Sequence, residues 1–127
     1  STHLYKLSGG TSWNAGAYSV ERFTGSGSLT FEATETNTAR MVGLSVSGGS
    51  SDYTNIDFAI YQAADGLVEV IESGTNKGKF GSYSTGDQFS IERTDSGSIV
   101  YSKNGEVFYT SAKTSSLDTS LLADASL

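Results

Sequence analysis

The feature that most constrains this chain is its punctuation. Short runs of β-branched, aromatic and aliphatic residues recur every 8 to 12 residues, and Gly, Asn, Asp and Ser fall between them. No window of roughly 11 residues or more holds apolar positions at i, i+3, i+4 and i+7 without a glycine interrupting it. A chain written this way cannot bury a helical stripe, so it must bury sheet faces. The spacing predicts strands over 3–7, 17–23, 28–34, 40–47, 56–62, 67–72, 77–83, 88–94, 98–103, 107–111 and 121–127. The stretch from 56 to 111 reads as a meander.

Three turns carry local geometry. Asn104-Gly105 suits a two-residue type I′ hairpin, because both residues tolerate positive φ. Asp65-Gly66 separates two further apolar runs. Asp95-Ser96-Gly97 fits a three-residue hairpin with Gly in the left-handed position. The Asn104-Gly105 turn sets a register of Lys103 with Glu106, Ser102 with Val107, Tyr101 with Phe108 and Val100 with Tyr109. Both faces of that hairpin would then be apolar. It is expected either to be covered on both sides or to present aromatics to a ligand.

Composition excludes several functions. The chain has 127 residues, the length of one domain (1–127, with 1–12 as an N-terminal strand or arm). It has no Cys, hence no disulfide framework or cysteine nucleophile. Its single histidine, His3, lies near the first residue, which argues against zinc sites and histidine-based triads. A net charge of −6 lacks the basic footprint of a nucleic-acid binder. No apolar run is long enough to span a bilayer. Seven Tyr, six Phe and one Trp argue against disorder. Lack of Cys fits a secreted or cell-surface location, and Ser1 fits the start of a mature or excised fragment.

A family resemblance accompanies these features. The stretch from Gly86-Asp87-Gln88-Phe89-Ser90-Ile91-Glu92-Arg93 through Val100-Tyr101-Ser102-Lys103-Asn104-Gly105 to Phe108-Tyr109-Thr110-Ser111 resembles the late strands of concanavalin A-like jelly-roll domains. Trp13-Asn14-Ala15-Gly16-Ala17, Met41-Val42-Gly43-Leu44-Ser45 and Tyr53-Thr54-Asn55-Ile56-Asp57-Phe58-Ala59-Ile60 fit it too. The resemblance implies an all-β, two-sheet antiparallel jelly-roll β-sandwich of the kind that binds carbohydrate in bacterial secreted and cell-surface proteins. Such domains continue with one more strand past the position of Leu127. Residues 3–7 are expected to supply it, or the sheet edge stays open to a neighbour.

Sugars offer flat apolar C–H faces ringed by hydroxyls. Aromatic platforms beside Asn or Asp meet both. Trp13 with Asn14, the loop residues Asp52, Tyr53 and Asn55, and Tyr83 before the turn at 84–86 are the candidate ligand-binding residues. For Trp13 the alternative is a core anchor closing one end of the sandwich. For Tyr53 and Asn55 it is an ordinary loop.

Catalysis finds no support. Jelly-roll glucanases carry a Glu-x-Asp-x-x-Glu strand motif that is absent here. Glu69 and Glu72 differ by three and point to opposite faces of a regular strand. These two and Glu92 are expected to be surface carboxylates, so no catalytic residue is assigned. No cofactor is expected. Asp52, Asn55 and Asp57 offer oxygen ligands for calcium, but pairing of Asp57 with Arg40 is the favoured reading. The sequence thus points to a lectin-like, non-catalytic domain whose partner is a carbohydrate or cell-surface glycan. The alternative is a self-associating adhesin or fibre subunit that exchanges strands at an unguarded edge. The absence of Pro favours that alternative weakly.

Overall fold

The computed structural model describes residues 2–7, 18–33, 38–46, 54 and 56–126. Every regular element among the described residues is a β-strand. In chain order they are β1 (Thr2–Leu7), β2 (Tyr18–Phe23), β3 (Gly27–Glu32), β4 (Arg40–Ser45), β5 (Phe58–Gln62), β6 (Leu67–Glu72), β7 (Thr75–Ser82), β8 (Gln88–Arg93), β9 (Ser98–Lys103), β10 (Glu106–Thr114) and β11 (Leu121–Ser126). Each predicted run corresponds to one strand.

The strands form two sheets, ordered β1-β3-β8-β9-β10 and β2-β11-β4-β5-β6-β7. All pairings are antiparallel except β1 with β3, which run parallel. The expected single meander is split. β4 to β7 meander in the second sheet and β8 to β10 in the first, so the chain changes sheets between β7 and β8. Residues 3–7 take the edge beside β3, while β11 lies inside the second sheet between β2 and β4.

The core lies between the sheets. Leu29, Phe31, Phe89, Ile91, Ile99 and Tyr101 from the first sheet meet Val42, Leu44, Phe58, Ile60, Val68, Val70, Leu121 and Ala123 from the second. These are alternate positions along their strands, as a period of two requires. The two sheets differ on their outer faces. In the first, Thr30, Glu32, Gln88, Ser90, Glu92, Ser98 and Ser102 stand half-buried or exposed, the polar half of an alternating pattern. In the second, Met41, Ala59 and Ile71 pack outward against Ile56, which arrives from the segment before β5. Burial on both faces explains why β4 and β6 read as near-continuous apolar runs.

The turns follow the local signals. Asn104 and Gly105 have φ of 51° and 84°, as type I′ requires. At 94–98, the Thr94 N–H bonds to the Ser98 carbonyl and the Gly97 N–H to that of Thr94. At Asp65-Gly66 the Ala63 N–H bonds to the Leu67 carbonyl and the Gly66 N–H to that of Ala63. A fourth hairpin joins β6 to β7 through Ser73 and Gly74, at φ of 50° and 83°.

The predicted β9–β10 register holds for two pairs, Lys103–Glu106 and Ser102–Val107, and then slips. A bulge lets Tyr109, rather than Phe108, face Tyr101, and Thr110 face Val100. The inserted residue moves the ring of Tyr109 to the inner face, since a shift of one residue reverses every later side chain. The hairpin therefore does not carry two equivalent apolar faces. The outer one keeps half-buried Val100 and exposed Val107.

Candidate functional site

Of the residues singled out for binding, Trp13, Asn14, Asp52, Tyr53 and Asn55 lie outside the described residues. Tyr83 is described, and its place differs from the expectation. It is 4% exposed and belongs to the core. Its hydroxyl donates to the Ala63 carbonyl at 2.8 Å, and its ring meets Phe89 edge-on at 6.2 Å. The polar tip finds a partner inside, so the ring serves packing rather than a surface platform.

Aromatic rings do gather elsewhere. β7 ends the second sheet and β10 ends the first, on the same side of the sandwich. Between them Phe80 lies 5.5 Å from Phe108 and 5.0 Å from Tyr109, ring centre to ring centre. All three rings are half-buried and pack on the core. Tyr101 lies beneath, 6.4 Å from Phe108 and 5.7 Å from Tyr109. The bulge in β10 brings adjacent Phe108 and Tyr109 to this one place. The sequence held a signal for Phe80, an aromatic between two glycines in a strand (Gly78-Lys79-Phe80-Gly81), a pattern that marks bulges and close approaches. The joint placement of Phe108 and Tyr109 had none, because alternation assigns neighbours to opposite faces.

Beside the rings lies an acidic group that the sequence misplaced. Glu69 and Glu72 do point to opposite faces of β6, but neither is a surface carboxylate, being 8% and 0% exposed. Glu69 faces outward and accepts from the side-chain amide of Asn76. Glu72 shares the inward face with Val68 and Val70. Its Oε2 accepts from the Tyr101 hydroxyl at 2.7 Å and its Oε1 from the Ser111 hydroxyl at 3.0 Å. A buried acidic group needs hydrogen-bond donors, and here two strands of the opposite sheet supply them. Burial, reinforced by the charge of Glu72 and by their hydrogen bond, pushes the Tyr101 phenol well above its usual pKa. Tyr101 therefore remains a donor throughout the working pH range. Only Glu92 is exposed as expected.

Replacing Tyr101 by Phe removes one of Glu72's donors inside the protein. The expected loss is about 1.5–3 kcal/mol of folding stability, the range for a bond to a charged group, measured by urea denaturation. Unchanged stability would show that Glu72 does not depend on this bond.

Asp57 does not take Arg40 as its partner. Its Oδ2 accepts from the Val46 N–H at 2.8 Å, at the far end of β4. Arg40 stands opposite Gln62, while the Asp57 end of β5 lies against Leu44. The length of the ladder separates the two residues.

Comparison with known protein families finds no model that matches the chain, and comparison with curated proteins finds no match. The fold itself therefore defines the class, an all-β sandwich of two sheets.

Proposed function

We propose that this chain is a non-catalytic carbohydrate-binding domain of the concanavalin A-like jelly-roll type, acting outside the cell or at its surface. The observation that carries the reading is the set of half-buried rings Phe80, Phe108 and Tyr109 along one side of the sandwich. Their accessible edges and faces offer an apolar surface to the C–H face of a sugar. The repeated crossing of the chain between sheets is in keeping with a jelly roll. Trp13, Asn14, Asp52, Tyr53 and Asn55 remain candidate contacts, while Tyr83 does not.

Strand exchange is the weaker reading at the two described edges near these rings. β7 carries Lys77 and Lys79 and is bulged against β6. β10 is bulged twice against β9 and carries Lys113. Bulges and lysines are devices that deter edge pairing.

Affinity electrophoresis through gels cast with a panel of polysaccharides tests the proposal. At least one polysaccharide should retard the wild-type chain, and a chelator should leave that retardation unchanged. Phe80→Ala and Tyr109→Ala should each weaken it by about 0.5–1.5 kcal/mol, roughly two- to tenfold in affinity, with the far-UV spectrum intact. Trp13→Ala and Tyr53→Ala report on those two candidate contacts in the same gels. Wild-type migration unaffected by every polysaccharide would overturn the assignment.

A further inference from the structure

The turn at Asn104-Gly105 is bound to the rest of the fold through the side chain of its first residue. Asn104 Nδ2 donates to Asp87 Oδ1 at 3.0 Å, and its Oδ1 accepts from the Gln88 N–H at 2.8 Å. The Asn104 N–H also bonds to the Gln88 carbonyl at 2.7 Å. Asp87 in turn accepts from the Ser84 N–H at 2.8 Å through its other oxygen. The amide of Asn104 thus latches the β9–β10 turn onto the loop that carries the chain from one sheet to the other. Burial acts to raise the Asp87 pKa, but the Asn104 amide, the Ser84 N–H and the charge of Lys103 outweigh it and hold it below the usual carboxylate value. The acceptor is therefore charged at neutral pH.

The same residue is chemically vulnerable. Asn104 is exposed and is followed by glycine, which has no side chain to hinder its own backbone nitrogen. That nitrogen can attack Asn104 Cγ. A new C–N bond closes a five-membered succinimide, the bond from Cγ to Nδ2 breaks, and the Gly105 N–H proton leaves with the departing ammonia. Water then adds to either ring carbonyl, giving aspartate or isoaspartate.

We propose that Asn104 is a spontaneous modification site whose rate is set by the Asp87 latch. While Nδ2 and Oδ1 are both held, Cγ cannot swing toward the Gly105 nitrogen. Once the amide is lost, the side chain at 104 has no N–H to give Asp87. Two carboxylates then face each other where a hydrogen bond stood, and like charges at such range repel. The turn is released from the β7–β8 loop. The modification is a one-way timer on the stability of this end of the sandwich.

The experiment incubates the 127-residue chain at neutral pH, folded and in urea, and follows the peptide containing residue 104 by mass spectrometry. Conversion to the acid should occur in both, roughly tenfold more slowly in the folded chain, the factor expected from restraint by hydrogen bonds of this kind. Asp87→Ala and the milder Asp87→Asn should recover much of that factor while remaining folded by circular dichroism. Asn104→Asp should melt at a lower temperature than wild type. Equal rates in the folded and unfolded chain would overturn the latch. So would equal rates in wild type and the folded Asp87 variants, and conversion in none of the folded chains would overturn the modification site itself. If the Asp87 variants fail to fold, the folded-to-urea ratio of the wild type alone decides.

Discussion

Gly43→Ala should destabilise the fold severely, the largest effect expected of any single methyl group in this chain. Gly43 lies in β4, opposite Ala59 on one side and Asp124 on the other. A Cβ there would run into the Phe58 carbonyl oxygen, and would stand only 2.7 Å from Ala59 Cα and 2.9 Å from Ile56 Cγ2. Two of these atoms are backbone of the neighbouring strand, so no rotamer change relieves the clash. Relief requires β4 and β5 to part, which breaks the ladder in the middle of the second sheet. The cost exceeds about 4 kcal/mol, in the range reserved for severe overpacking. A domain whose whole stability is of the order of 5–15 kcal/mol then loses a large share of it. Far-UV circular dichroism and a thermal melt check this. A cooperative melt within a few degrees of wild type would refute the close-approach account of Gly43.

Arg93→Ala comes second, at about 2–6 kcal/mol from the two buried backbone acceptors it leaves without a donor. Arg93 ends β8 fully buried. Its Nε donates to the Gly25 carbonyl at 2.8 Å, and its Nη1 donates to Ser115 Oγ at 3.0 Å and to the Ser116 carbonyl at 2.7 Å. The guanidinium lies over the Phe23 ring, 5.3 Å from its centre. One side chain thus ties the β2–β3 turn and the β10–β11 loop to the end of β8. Nη2 has no partner. The charge is buried among neutral acceptors, and burial lowers its pKa from the ordinary value. An isolated buried cation is costly in itself, which raises the question of whether an apolar residue would serve better. The acceptors decide it. Removing the guanidinium leaves the carbonyls of Gly25 and Ser116 without their donor, at about 1–3 kcal/mol each. Arg93→Met, which keeps most of the volume, should therefore also destabilise, though less than Ala. Urea denaturation of both variants measures this. A Met variant as stable as wild type would show that desolvation of the charge outweighs the three bonds it makes.

Local features of the fold were legible because their causes are local. Positive φ at Asn104 and Gly105 follows from the two residue types, and the turn at 94–98 from Gly97. Alternation in β8 and β9 revealed an inner and an outer face because one side of that sheet meets solvent. Where both faces are buried, as in β4 and β6, alternation vanishes and the sequence is silent about which residue faces which layer. Glu72 shows the consequence. A carboxylate in a strand reads as surface until its donors are known, and those donors, Tyr101 and Ser111, are 29 and 39 residues away. Tyr83 shows the converse. A tyrosine before a turn reads as exposed until Ala63 is found within reach of its hydroxyl. The aromatic group at Phe80, Phe108 and Tyr109 required a bulge that no residue type announces.

By itself the sequence determined that the chain builds strands, where each begins and ends to within a few residues, and the turns at 65–66, 95–97 and 104–105. Periodicity, β-propensity and backbone freedom act over a few neighbouring residues, and the chain carries them wherever it goes. Only the tertiary structure decided which sheet each strand joins, the parallel seating of β1 beside β3, and the burial of Glu72, Tyr83 and Arg93. Those outcomes depend on pairings between residues far apart in the chain. There the deciding quantities are shape, hydrogen-bond supply and exclusion of water between layers, none of which exists until both sheets are in place.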